Sequence, residues 1–385
     1  MALFTAVVES VEELVRGGEV PGAVVGLTDG ERQWVHAAGV DRPGGDALRA
    51  DAVFRISSMT KPVTAALTLE LAGDGVLALD EPIHRWLPEL AGQRVLRHVD
   101  GPLNDTVVAE KVPTVEDLLL MQLGFGFAFE VDSCPVADAA VAAGLGMGPP
   151  MPSAIPHGPD EWIRRFAELP LMEQPGRQWR YEFSYGVLGV LLARAAGIDL
   201  PTLLNERILS PLGMSDTGFS VPEHARARLI PCFTDGTALF DDAADSDWLT
   251  PPAFPHAGGG LVSTAADYLT FAATLLPNHG KPIADLMTID RLTAEQRSGP
   301  SAQIFLNGEG WGYGVQVRSK GPSAPARYGW GGGLGTLWYS YPDHGIAAVL
   351  MTQRLPPSPA TIAALTDPLD AALAAATEDR GATDG

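Results

Sequence analysis

Strand-forming segments cluster at the two ends of this chain, and the stretch between them is helical in pattern. Residues 3–16 (LFTAVVESVEELVR) repeat apolar side chains at helical spacing until Gly17-Gly18 stops them. Ala23–Leu27 and Gln33–Ala38 then read as two short strands about the turn Asp29-Gly30-Glu31. The last quarter returns to strands at Trp311–Val317, Thr336–Ser340 and Ile346–Thr352, and a helix over Ile362–Ala376 closes the pattern. Helical patterns fill the interval at Val63–Ala72, Val115–Met121, Val187–Ala196, Pro201–Leu209 and Ala265–Leu276. The economical arrangement is an α/β (α+β) fold: one antiparallel sheet built from both termini, flanked by the N- and C-terminal helices, with a mainly helical domain inserted. The expected boundaries are a sheet domain at 1–82 and 251–385, and a helical domain at 83–250 with a lid insert at 125–160.

Composition narrows the function classes. The 385 residues are 46% hydrophobic and 19% charged, the balance of a soluble globular protein. Lys+Arg number 26 against 47 Asp+Glu, a formal net charge of −21. A field of that sign repels phosphate backbones and anionic lipid, which argues against nucleic-acid and membrane partners. Two cysteines, Cys134 and Cys232, are too few for a disulfide framework or a cysteine metal cluster. No uncharged apolar run reaches the roughly 18 residues of a membrane span. The opening Met1-Ala2-Leu3-Phe4-Thr5 lacks the basic and apolar regions of a secretion signal, so a cytoplasmic location is expected.

Several chemistries lack their motifs. None of the serines lies in G-x-S-x-G, no H-E-x-x-H occurs, and the eight histidines are scattered. Gly280-Lys281 is followed by Pro282, which defeats a phosphate-binding loop, and the run Gly329–Gly335 does not fit G-x-G-x-x-G. Neither a metal nor an organic cofactor is expected.

One element carries chemistry of its own. Of the four lysines, Lys61 has a serine three residues before it, in Ser58-Met59-Thr60-Lys61, at the start of the apolar helix Val63–Ala72. Residues i and i+3 share a helix face, so the Lys61 amine can reach the Ser58 hydroxyl. A serine hydroxyl is a poor nucleophile until a base takes its proton, and a lysine serves as that base if burial lowers its pKa. The free N–H groups of the first helical turn stand ready to stabilise an oxyanion. The spacing leaves a second reading open, in which Ser57 or Ser58 caps the helix and Lys61 is solvated.

The longer pattern is familiar. Pro21-Gly22-Ala23-Val24-Val25, Phe54–Lys61 (FRISSMTK), 77–88 (LALDEPIHRWLP), 114–124 (TVEDLLLMQLG), 174–189 (QPGRQWRYEFSYGVLG), 258–268 (GGGLVSTAADY) and Trp330–Gln353 resemble the serine β-lactamase and penicillin-binding protein superfamily. Within it the chain is most similar to class C β-lactamases and family VIII carboxylesterases. The resemblance implies a tyrosine opposite the serine–lysine pair, matched by Tyr181, with Tyr185 one helical turn later as its competitor. It implies a glycine-rich strand element at Trp330-Gly331-Gly332, and an oxyanion hole made by the Ser58 and Gly333 amides. Phe183 and Trp330 stand where β-lactamases carry an asparagine and a cation, which favours uncharged apolar acyl groups. Glu182 is assigned no role and is expected to face solvent. The insert at 125–160 would roof the pocket, with Phe127, Phe129 and Met147 or Met151 as apolar contacts; a mobile surface excursion is the other reading.

The function this implies is a serine carboxylesterase acting through an acyl-enzyme on Ser58, activated by Lys61 and Tyr181. Its partner would be a small-molecule ester or acyl substrate. The rivals are a β-lactamase or D-peptidase/amidase, an acyltransferase using the same acyl-enzyme, and a catalytically silent scaffold.

Overall fold

The computed structural model describes residues 2–148, 151–235, 238–277, 282–321 and 324–383. Gly22–Thr28 (β1) and Gln33–Gly39 (β2) form the expected hairpin, paired antiparallel from Gly22–Gly39 to Thr28–Gln33. Its turn is closed by Asp29, whose carboxylate accepts the Arg32 backbone N–H at 2.8 Å. Five C-terminal strands complete the sheet: Gly310–Trp311 (β3), Gln316–Arg318 (β4), Arg327–Gly332 (β5), Thr336–Tyr341 (β6) and Ile346–Thr352 (β7). The order across the sheet is β2-β1-β7-β6-β5-β4-β3. Every pairing is antiparallel, and the two chain ends meet where Val25 faces Leu350.

The expected single strand at Trp311–Val317 is instead two short strands. The backbone reverses between them, with the Gly312 N–H donating to Val315 O at 2.8 Å. The apolar run across that segment masked the turn.

Alternation along the strands sorts side chains to two faces. Val25, Leu27, Leu337, Tyr339 and Leu350 share a cluster with Val7, Val11 and Leu14 of the first helix, Ala2–Arg16 (α1). Leu365, Leu369 and Leu373 of the last helix, Pro359–Thr383, join the same cluster. Val24, Trp338, Val349 and Met351 turn the other way, into the main core. That core surrounds Thr60–Gly73 (α2), most of whose residues are buried, as expected of a helix apolar on every side.

Pro159–Ala167 (α3), Phe183–Ala196 (α4) and Ala265–Thr274 (α5) pack into the same core. Pro300–Leu306 (α6) precedes β3, and Pro359–Thr383 is α7. The interval between α2 and α5 is not purely helical. It holds short antiparallel pairs at Arg94–Leu96 with Thr106–Val108 and at Cys232–Thr234 with Ala238–Asp241, too brief to show a period-two pattern. Among the described residues no single helix is long and apolar enough to cross a membrane.

Two contacts hold the sheet against the start of α2. The Thr336 hydroxyl donates to Ile56 O at 3.1 Å. Gly332 leaves no room for a side chain, since a Cβ there would lie 2.3 Å from Ile56 O and 2.4 Å from Thr336 Oγ1. Replacing Gly332→Ala is expected to cost roughly 1–3 kcal/mol through overpacking, read in a denaturant titration. An unchanged midpoint would mean that β5 and the turn before α2 do not approach this closely.

Candidate active site

Ser58 lies in a tight turn, Ser57–Met59, that runs directly into α2. Its neighbour Ser57 has φ 44°, the left-handed region that side chains other than glycine adopt at a cost. The turn is pinned on both sides. The Thr60 hydroxyl donates to Ser57 O at 2.7 Å and accepts the Leu261 N–H at 3.2 Å. The Tyr268 hydroxyl donates to Met59 O at 2.9 Å. Ser58 is thereby held at the mouth of a helix whose first N–H groups have no intrahelical partner.

Lys61 sits one turn further on and is wholly buried. Its Nζ donates three hydrogen bonds: to Ser58 Oγ at 3.0 Å, to Glu182 Oε2 at 2.7 Å and to Gly258 O at 2.6 Å. The loop bearing Gly258 approaches so closely that a Cβ there would lie 3.0 Å from both His256 Cε1 and Tyr185 Cβ. Burial, the largest single influence, drives the Lys61 pKa down, but the charges of Glu182 and Tyr181 and hydrogen bonding to both together outweigh it, and the net direction is upward. The serine–lysine contact expected from the spacing is present, while the ion pair with Glu182 favours the ammonium over the neutral amine expected of a base.

Tyr181 faces the same pair. The centre of its ring is 4.6 Å from Lys61 Nζ, and its hydroxyl accepts the Trp330 indole N–H at 2.9 Å. Burial raises the phenol pKa, and the Lys61 charge, with hydrogen bonding to Ser58 and Trp330, only partly opposes it. The ring is therefore a phenol at rest. Tyr185, the competing tyrosine, is buried beneath the site with its hydroxyl donating to Leu119 O at 3.3 Å.

The residue missed by sequence reasoning is Glu182. It is 6% exposed rather than facing solvent, and it has φ 96° immediately before α4. Its Oε2 holds Lys61, while Oε1 lies 3.6 Å from His256 Nε2 and has no hydrogen-bond partner. Burial pushes the His256 ring below the usual histidine range, and its Nδ1 accepts the Gly258 N–H at 3.1 Å. The available signal was an acidic residue inside an apolar run, tolerable there only beside a buried cation.

A cleft of ≈ 560 Å³ opens in front of these groups, lined near the serine by Ser58, Tyr181, Phe127, Phe305 and Trp330 with Gly331, Gly332 and Gly333. Gly333 lies across from the serine turn, where a Cβ would come 3.9 Å from Ser57 Oγ. Other expected pocket residues lie elsewhere. Because α4 starts at Phe183, that ring turns into an aromatic stack with Trp162 at 5.0 Å and Phe125 at 4.6 Å, and Tyr185 follows it into the core. Neither lines the cleft. Phe129 is 47% exposed and packs on Phe127 and Phe305 at the rim.

The insert is built into the fold, with Val136, Ala140, Leu145 and Ile155 in the main core; of its described residues only Phe127 and Gly148 line the cleft. Met147 packs against the main core and Met151 against a separate cluster, and residues 149–150 lie outside the described ones.

An antiparallel sheet joining both termini, faced by a buried serine–lysine turn, places the chain among the beta-lactamase-fold hydrolases and acyltransferases. The beta-lactamase family description matches residues 7–372, and the chain belongs to that family. Protein Rv1367c of Mycobacterium tuberculosis (strain ATCC 25618 / H37Rv) is 35% identical over 90% of this chain and 89% of its own length. Esterase EstB of Burkholderia gladioli is 29% identical over 89% and 88%. Among solved structures, EstCE1, a hydrolase with promiscuous acyltransferase activity, aligns with a TM-score of 0.77 at 22% identity, covering 96% of this chain and 98% of that one. That last likeness is one of fold.

Arg180 fixes the approach to Tyr181. It is 6% exposed, pairs with Glu173 and with Glu130 of the insert, and donates to Phe127 O at 3.0 Å. Arg180→Leu strands two partly buried carboxylates and is expected to cost roughly 3–5 kcal/mol in a denaturant titration. A loss below about 1 kcal/mol would mean that apolar contacts alone hold the insert.

Proposed function

We propose that the protein is a serine hydrolase that cleaves carboxylic esters through an acyl-enzyme on Ser58. The observation that carries this reading is the contact of Ser58 Oγ with Lys61 Nζ at 3.0 Å, on the floor of a cleft of ≈ 560 Å³. That volume suits a small or medium organic ester.

Ser58 Oγ attacks the ester carbonyl as its proton passes to the coupled pair Lys61 and Tyr181, which serves as base once Lys61 has given up a proton of its own. The backbone N–H groups of Ser58 and Gly333 hold the tetrahedral oxyanion, a contribution of roughly 10²–10³ in rate for each such donor. Collapse expels the alcohol, protonated through Tyr181, and leaves the acyl group on Ser58. Water enters with Tyr181 as its base and releases the acid. The lining favours uncharged acyl groups: Trp330 adds an indole where a cation would meet an anionic lactam, and it spends its N–H on Tyr181. Phe183 offers no amide to the cleft because it is committed to the core.

Transfer of the acyl group to an alcohol is the second reading, supported by relatives such as Acyltransferase calJ of Penicillium decumbens, 28% identical over 85% of this chain and 82% of its own length. It uses the same acyl-enzyme and differs in the final acceptor.

The test is intact mass after incubation with a fluorophosphonate, alongside turnover of p-nitrophenyl esters. One adduct on wild type and none on Ser58→Ala is expected, with ester turnover in the variant reduced by more than about 10⁴-fold. Equal hydrolysis by Ser58→Ala would remove the nucleophile. Turnover of a chromogenic cephalosporin far faster than that of the ester would reassign the substrate class.

A further inference from the structure

The hydrogen bonds of Lys61 create a difficulty that the serine–lysine–tyrosine scheme does not resolve. An ammonium has three protons, and here all three are directed: to Ser58 Oγ, to Gly258 O and to Glu182 Oε2. A nitrogen that donates to Ser58 Oγ cannot at the same time accept the serine proton. Lys61 must first release a proton, and its side chain is wholly buried. Of its three acceptors, a backbone carbonyl takes no proton and Ser58 is the group to be deprotonated. Tyr181, which also touches Lys61, is a phenol and takes no second proton, so Glu182 is the one that remains.

We propose that Glu182 is a positioning residue that acts through Lys61, holding the lysine's spare proton while Ser58 is acylated. This rests on the esterase reading above. In the step, the proton on Lys61 Nζ moves to Glu182 Oε2 as the proton on Ser58 Oγ moves to Nζ. The Oγ electron pair freed in this way forms the bond to the ester carbonyl carbon. Lys61 ends as it began, an ammonium, and Glu182 becomes a carboxylic acid. The proton returns through Lys61 and Tyr181 when the leaving alcohol departs, so no net charge is created in the buried site.

The surroundings of Glu182 suit that role. The charged and titratable groups facing it are Lys61 from α2, the adjoining Tyr181, Tyr185 in the first turn of α4, and His256 from the loop that carries Gly258. With its Nδ1 accepting the Gly258 N–H, a neutral His256 ring carries its proton on Nε2, toward Glu182 Oε1 but 3.6 Å away, beyond hydrogen-bond reach. One carboxylate oxygen is thus buried without a donor. The backbone of Glu182 is held at φ 96°, strain that persists only where the surroundings enforce it and that aims the carboxylate at Lys61.

The experiment compares wild type, Glu182→Gln and Glu182→Asp in burst kinetics with a p-nitrophenyl ester, whose leaving group needs no proton. Glutamine keeps an acceptor for Lys61 but cannot store a proton. Acylation by Glu182→Gln is expected to fall at least about 100-fold with KM changed less than about threefold. Its acidic limb is expected to move to higher pH by more than about one unit, because the amine must then deprotonate to bulk solvent. Glu182→Asp is expected to return the limb toward wild type. A uniform fall at every pH, with the limb unmoved, would overturn the relay in favour of a structural role.

Should Glu182→Gln fail to fold, a proton inventory on wild-type acylation decides. Two protons in flight predict a bowed dependence on deuterium fraction, and a straight line overturns the relay. A wild-type protein that neither turns over esters nor takes a fluorophosphonate on Ser58 would instead overturn the esterase reading itself.

Discussion

The ammonium of Lys61, stripped of water and given three oxygen partners in exchange, is the constraint from which the rest of the centre follows. An ion of this kind loses several kcal/mol of hydration on burial, recovered only when every donor is satisfied at good geometry. The three partners come from three distant parts of the chain: the turn before α2, the strained residue before α4, and the loop ahead of α5. Their convergence explains why Gly258 has little room for a side chain and why Glu182 is held at an unfavourable φ. Each of those costs is local, and each positions an acceptor on Lys61.

Strain borders the reacting groups on both sides. Ser57 and Glu182, at φ 44° and 96°, each adjoin a residue of the centre, Ser58 and Tyr181. Positions of this kind cost about 1–3 kcal/mol apiece and survive only where the surroundings over-determine them. For Ser57 the surroundings are the Thr60 and Leu261 hydrogen bonds and the end of β5. For Glu182 they are the aromatic stack of Phe183, Trp162 and Phe125 behind it, together with the ion pair in front. The sheet joins the two, since Trp330 at the end of β5 hydrogen-bonds Tyr181 beside the helix tip.

Much of this was readable before any coordinates. The terminal helices follow from the apolar stripe each turns to the sheet, and the hairpin Ala23–Leu27 with Gln33–Ala38 and the strands Thr336–Ser340 and Ile346–Thr352 from short apolar runs bounded by turn residues. The Ser58–Lys61 contact follows from helical spacing. What escaped depends on tertiary placement. Phe183 and Tyr185 differ from a pocket residue only by the phase of α4, which begins four residues before the apolar period announces it. The split of Trp311–Val317 hides in an apolar run whose turn is made by backbone hydrogen bonds. Glu182 escaped because its partner lies 121 positions away, and no local pattern distinguishes a buried carboxylate from a solvated one.

The protonation of Lys61 at rest is the central physical claim, and it can be read directly. The chain has only four lysines, so side-chain NMR of the ε-labelled protein resolves each one through a pH titration. Lys61 is predicted to give an ammonium signal at neutral pH and to keep it beyond the range in which the solvated lysines lose theirs. A neutral amine at pH 7 on that residue would contradict the picture of a dry, charged lysine held by Glu182.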